Sequence, residues 1–254
     1  MVLVTRPLAS AQATAALLAE RGYRPVIAPL LTIAPKPAEL PPPETLQAVL
    51  VGSGHAVHHL PASHRGLRLL AVGDATASLA RAKGHREVLS AAADAARLAA
   101  LAAERLDPAG KPLLLAVGEG QGERLAAALA ARGFSVTRRA VYTTTAARSL
   151  PPAARALLQP PRDDARVARA RDAEMRAGEL RVEGEMVSAA LFFSAETARV
   201  FGALVAAEGL AQRLSSITAL AISASAAAVL RPLPWREVRA APHPDQEALL
   251  ALLS

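Results

Sequence analysis

The sequence predicts an α/β protein of two similar lobes with parallel sheets, and three observations predict it. Short apolar runs alternate with helix-like segments along the chain. Several of these segments recur at fixed offsets. The recurrences follow one circular order, which builds one lobe from both chain ends and sets the other between them.

The predicted strands are VLVT (2–5), PVIAPL (25–30), AVLVGS (48–53), RLLAVG (68–73), EVLSA (87–91), PLLLAV (112–117) and SVTRRAVY (135–142). After a charged stretch come ALFFS (190–194), ITALAIS (217–223) and EVRAA (237–241). Continuous apolar runs of this length fit strands covered on both faces. Helices are expected between them, at 10–21, 95–105, 123–132 and 245–253. Such alternation favours parallel strands joined by right-handed crossovers. ERGY (20–23) and ARGF (131–134) place glycine where a helix ends.

The repeat fixes the domain organisation. AVGDATASLA (71–80) lies over AISASAAAVL (221–230), with REV at 86–88 over REV at 236–238. AVLVGS lies over AALFFS, and LLLAVG over VLVTRP. The expected organisation is a discontinuous α/β lobe, 1–34 plus 145–254, and an inserted α/β lobe, 37–142. Residues 155–187 form a charged insertion within the first lobe. Two linkers between lobes predict a hinged pair with a cleft.

In open α/β sheets ligands bind at the carboxyl ends of the strands, where helix N-termini favour anions. The candidate binding residues are therefore the small or polar strand ends: Thr5 and Arg6, Ser53 and Gly54, Gly73 and Asp74 with Thr76 one turn on, Ser194 and Ser223. Small residues there also suit ordinary turns, but these five ends and a sixth, Gly118-Glu119-Gly120, together point to a polyanionic ligand. Tyr142 closes an apolar run where the chain leaves the inserted lobe. It is read either as a hydrogen-bonding phenol at the cleft or as an interfacial packing residue.

Other chemistries are disfavoured. VGEGQGE (117–123) is neither a dinucleotide fingerprint nor a phosphate loop. His55, His58 and His59 have spacing that can hold zinc, yet no glutamate or third ligand is marked, so a polar turn is the preferred reading. The chain has no cysteine, and neither a metal nor a cofactor is expected.

The net charge is +7 over 254 residues. That surplus suits an acidic partner or simple solubility. Arg148 to Glu185 mixes eight arginines with seven acids, unlike a nucleic-acid arm, and aromatics are only 3%. Neither nucleic acid nor membrane is expected as a partner. No apolar run reaches the roughly 18 residues of a membrane span. MVLVTRP lacks the pattern of a secretory signal, so a cytoplasmic location is expected, and separately a monomer.

LVTRP at the start, APLLTI (28–33), AVGDATA (71–77), VY (141–142), FFS (192–194) and PDQEAL (244–249) resemble the uroporphyrinogen-III synthase family, in order and over nearly the whole chain outside 155–187. The resemblance implies two flavodoxin-like lobes joined by a two-stranded linker. It implies cyclisation of linear hydroxymethylbilane to uroporphyrinogen III, with loss of water and inversion of the last pyrrole through a spiro intermediate, and no cofactor. The implied partner is a small-molecule polycarboxylate tetrapyrrole. The family's tyrosine falls on Tyr142, as proton donor. Its hydroxyls fall on Ser53, Thr76 and Ser194, and its Thr-Arg-Pro turn on Thr5, Arg6 and Pro7. Gly52 and Ala226 stand where the family often carries hydroxyls, which favours backbone N–H groups as the carboxylate binders. A non-catalytic binder of an anionic metabolite, or an inactive paralogue, is the alternative.

Overall fold

The computed structural model describes residues 1–92, 94–159 and 188–253. The chain divides into two compact units, Met1–Thr32 with Thr145–Ser254, and Ile33–Thr144. Both unit boundaries fall inside strands, β3 (Leu31–Pro35) and β8 (Val136–Ala146), which neighbour each other in one sheet.

The first unit holds a five-stranded parallel sheet. Its order is β11 (Glu237–Ala240), β10 (Thr218–Ala221), β9 (Ala189–Phe192), β1 (Val2–Val4) and β2 (Pro25–Ile27). Side chains alternate between its faces, as a pleated strand requires. Leu3, Ala190, Phe192, Ala219 and Ala221 share a core with α6 (Pro152–Leu158), α7 (Ala195–Ala207) and α8 (Ala224–Leu230). Val2, Val4, Ala189, Leu191 and Leu220 share another with α1 (Leu8–Glu20) and α9 (Gln246–Leu250). Burial on both faces explains why these strands read as unbroken apolar runs. Phe192, Phe201 and Trp235 supply the aromatic bulk of the first core.

Arg155 opens a bidentate ion pair from α6 to Glu208 at the end of α7, with N···O distances of 2.7 and 2.9 Å. Ala154 and Leu158 of α6 are core residues. The start of the expected 155–187 insertion is therefore helix packed into the unit, while 160–187 lie outside the described residues.

The second unit holds a six-stranded sheet in the order β3, β8, β7 (Leu113–Gly118), β4 (Ala48–Val51), β5 (Arg68–Ala71), β6 (Val88–Ser90). The strands from β4 to β8 pair in parallel. One face packs on α2 (Gly54–His58) and α3 (Asp74–Ala82), the other on α4 (Ala95–Arg105) and α5 (Glu123–Ala130).

The two sheets have the same order once strands are matched by sequence. β4 matches β9, β5 matches β10, β6 matches β11, β7 matches β1 and β8 matches β2, so β8-β7-β4-β5-β6 repeats β2-β1-β9-β10-β11. Ala71 and Ala221, which end β5 and β10, are 150 residues apart, as the sequence repeat requires. The chain enters the same sheet at a different strand in each unit.

One histidine of the second unit is stored in an unfavourable place. Gly84, at φ 90°, turns the chain off α3, and His85 follows it into the core with 4% exposure. Its Nδ1 has no hydrogen-bond partner. Burial, then the neighbouring Arg65 and His64, hold its pKa below the ordinary imidazole value. The folded state thus keeps His85 neutral where the unfolded chain protonates it. Its contribution to stability is complete above the unfolded pKa of about 6.5 and is lost as pH falls through the lower folded value. The melting temperature should fall between pH 7.5 and 5.5, and His85→Leu should flatten that fall. A profile unchanged by the substitution would show that His85 is not the titrating group.

Candidate functional site

The sharpest constellation lies at the carboxyl edge of the second unit's sheet. β4 ends at Val51, and Ser53 begins α2 with extended backbone, φ −154° and ψ 156°. A serine in that position usually caps its helix by accepting a first-turn N–H. Ser53 makes no such cap. Its Oγ lies 3.0 Å from the Tyr142 hydroxyl. The Tyr142 O–H in turn donates to Gln121 Oε1 at 3.1 Å. A phenol has one hydrogen, so with that hydrogen on Gln121, Ser53 donates to the phenolic oxygen.

The ring reaches this position because Gly118 leaves room. A Cβ on Gly118 would lie 2.8 Å from two Tyr142 ring carbons and 3.0 Å from the Gln121 amide carbon. The rings of His55 and His59 flank the phenol, with centroids 5.7 and 6.2 Å away. Tyr142 as a whole is only 3% exposed. Ser53, Gln121 and Tyr142 line a pocket of about 520 Å³, with Gly52, Val72, Arg124 and others. Arg124 is the one cation on its wall among the described residues.

The remaining predicted residues separate into distinct roles. Gly73 is the N-cap of α3, with Asp74 next to it, and no side chain caps that helix. Thr76 lies in its first turn, half-buried. Gly54 opens α2, where a Cβ would meet only the end of the Leu79 side chain, at 2.8 Å.

In the first unit, Ser194 and Ser223 do cap their helices, accepting from Thr197 N at 3.1 Å and Ala226 N at 3.3 Å. Their hydroxyls also contact Thr197 Oγ1 and Ser225 Oγ. Thr5 is fully buried, and its hydroxyl donates to the Leu191 carbonyl at 2.7 Å, tying β1 to β9. That geometry makes Thr5 a tie within the sheet edge; its side chain does not reach the surface.

Arg6 donates to Thr14 Oγ1 and Gln246 Oε1 at 3.0 and 2.7 Å, and its guanidinium lies 4.0 Å over the Phe193 ring. Burial lowers its pKa from the ordinary arginine value, and no carboxylate pairs with it among the described residues.

Sequence reasoning missed Gln121 and Arg124. The only available signal was a polar side chain set among the three glycines of GEGQGE. His55 of α2 and His59 just after it flank Tyr142, and among the described residues no His, Asp or Glu cluster suits a metal ion. No described helix is long and apolar enough to cross a membrane.

Comparison with known proteins places this edge in context. A family model described as uroporphyrinogen-III synthase HemD matches residues 12–251. No curated protein matches the sequence. A solved uroporphyrinogen-III synthetase from Helicobacter pylori 26695 is 16% identical, over 99% of this chain and 97% of that one, with a TM-score of 0.58. A mutant uroporphyrinogen III synthase from the extremely thermophilic bacterium Thermus thermophilus is 20% identical over 100% and 96%, with a TM-score of 0.49. The Helicobacter likeness, at that identity, bears on the fold, and the family match spans nearly the whole chain. The chain belongs to the uroporphyrinogen-III synthase family.

Proposed function

We propose that the chain acts as a monomeric, cofactor-independent hydro-lyase, closing linear hydroxymethylbilane to uroporphyrinogen III with inversion of the last pyrrole ring. The observation that carries this reading is the family match over residues 12–251. The geometry of the second unit supports it with a chemical route. Cyclisation begins when the C–O bond of the terminal hydroxymethyl group breaks, and a proton delivered to the oxygen lets it leave as water. The Tyr142 phenol, at the wall of the pocket, is the donor. Aromatisation of the closed ring returns a proton, so the net change is loss of one water.

Three open helix starts support carboxylate binding. α2, α3 and α5 begin at Ser53, Gly73 and Gly122 without a side-chain cap. Their first-turn N–H groups are available to acetate or propionate arms. In the first unit α7, α8 and α9 are capped by Ser194, Ser223 and Asp245. α4 of the second unit is capped by Asp94, while α1 and α6 of the first unit start uncapped, so both units offer backbone receptors; the pocket of the second unit adds Arg124 beside Glu123. Holding the bilane in a productive fold supplies much of the selectivity, because the unheld chain closes to the uninverted isomer.

The direct test is incubation with freshly made hydroxymethylbilane and separation of the product isomers. The type III isomer should dominate. Only the spontaneous type I isomer would refute the reading. Tyr142→Phe should lower kcat on the order of a hundredfold, the usual scale for losing a general acid, with a melting temperature close to that of the parent. Undiminished turnover would remove Tyr142 from the mechanism.

A further inference from the structure

Gln121 has no role in the reaction as described so far, yet the chain around it is built to hold it still. It sits between Gly120 and Gly122, both at positive φ, 69° and 84°. Only glycine adopts that backbone without strain. A side chain on Gly122 would also strike Val117 at 2.7 Å. The Gln121 N–H donates to the Gly118 carbonyl at 3.1 Å, and its own carbonyl accepts from Arg138 Nη1 at 2.7 Å. The Glu119 N–H donates to the Tyr142 carbonyl at 2.9 Å. The loop is therefore fastened to β8 twice, once at Tyr142 itself. What it presents is one amide, whose oxygen accepts the phenolic hydrogen at 3.1 Å.

From this we infer that Gln121 is a positioning residue that acts through Tyr142, an inference that rests on the synthase reading for its catalytic consequence. Its amide oxygen holds the phenolic hydrogen, while Ser53 donates to the phenolic oxygen. When the phenol gives its proton to the departing hydroxyl, the Gln121 amide turns and donates an Nε2–H to the phenolate. Ser53 donates from the other side. The O–H bond of Tyr142 breaks, the C–O bond of the substrate breaks, and water leaves. The phenolate recovers a proton from the pyrrole carbon that aromatises on closure. Two donors to the developing oxyanion lower the barrier. The same glycine that admits the Tyr142 ring, Gly118, also admits this amide.

The test combines a kinetic cycle with a spectrum that does not depend on activity. Gln121→Leu should lower kcat about tenfold or more, the scale of one hydrogen bond to a charged group, and leave KM within about twofold. Gln121→Glu, whose carboxylate cannot donate at neutral pH, should do the same. Neither should lower kcat further in a Tyr142→Phe background. Equal losses in both backgrounds, or no loss in the parent, would overturn the proposal.

Tyr23 is the only other tyrosine, so Tyr23→Phe protein labelled with 13Cζ-tyrosine reports Tyr142 alone. Its resonance should move on Gln121→Leu. A resonance that stays put overturns the positioning contact whatever the activity. A resonance that moves, in a protein whose Tyr142→Phe variant turns over normally, supports the contact and refutes the donor role of Tyr142.

Discussion

Because β1, β2 and β9–β11 run parallel in the first unit, and β4–β8 do so in the second, each strand must return over a covering segment. That constraint puts successive strand-to-helix turns on one edge of each sheet. It makes the inner strands β1, β4, β7, β9 and β10 apolar on both faces and leaves the turns as the place for polar chemistry. Ser53, Gly73 and Gly118 of the second unit all lie on such turns, as do Arg6, Ser194 and Ser223 of the first. Helix starts meet the same edge, and first-turn N–H groups without a cap there favour anions in general.

The shared strand order shows one architecture used twice, and the copies differ at their helix starts. Ser194 and Ser53 occupy matching positions, 141 residues apart. Ser194 uses its hydroxyl on its own helix. Ser53 gives up that cap for the Tyr142 hydroxyl. Loss of a serine cap costs on the order of 1 kcal/mol in comparable helices, so a structural account alone does not favour the exchange. Ser223 and Gly73 differ in the same direction, capped in the first unit and open in the second. At these two matched starts the second unit leaves its first-turn donors without a side-chain cap.

Periodicity made the fold class legible. The strand ends of β4, β5, β9 and β10 lie within the apolar runs, because burial on both faces leaves little choice of residue. Leu31–Pro35 was harder. Pro35, Pro37 and Pro41–Pro43 read as a linker, yet β3 forms at the sheet edge, where proline's missing N–H is tolerated. The site was legible by position more than by contact. Tyr142 stood out through its rarity, but its burial depends on the absent Cβ of Gly118, 24 residues earlier. Thr5 looked like a cleft hydroxyl because it ends β1, and the Leu191 carbonyl captures it. Gln121 carried only the signal of its flanking glycines, whose left-handed backbone sets its aim without naming its target.

The central claim is that the carboxyl edge of the second unit, with its uncapped helix starts around Tyr142, receives the polycarboxylate. The most direct measurement is the amide 1H–15N spectrum of the protein as reduced uroporphyrinogen III is added. The account predicts that, within this unit, the largest shifts fall at Ser53–His55, Gly73–Thr76 and Gly118–Glu123. Shifts centred instead at the amino ends of the same strands, at Gln47, Leu67 and Lys111, would contradict it.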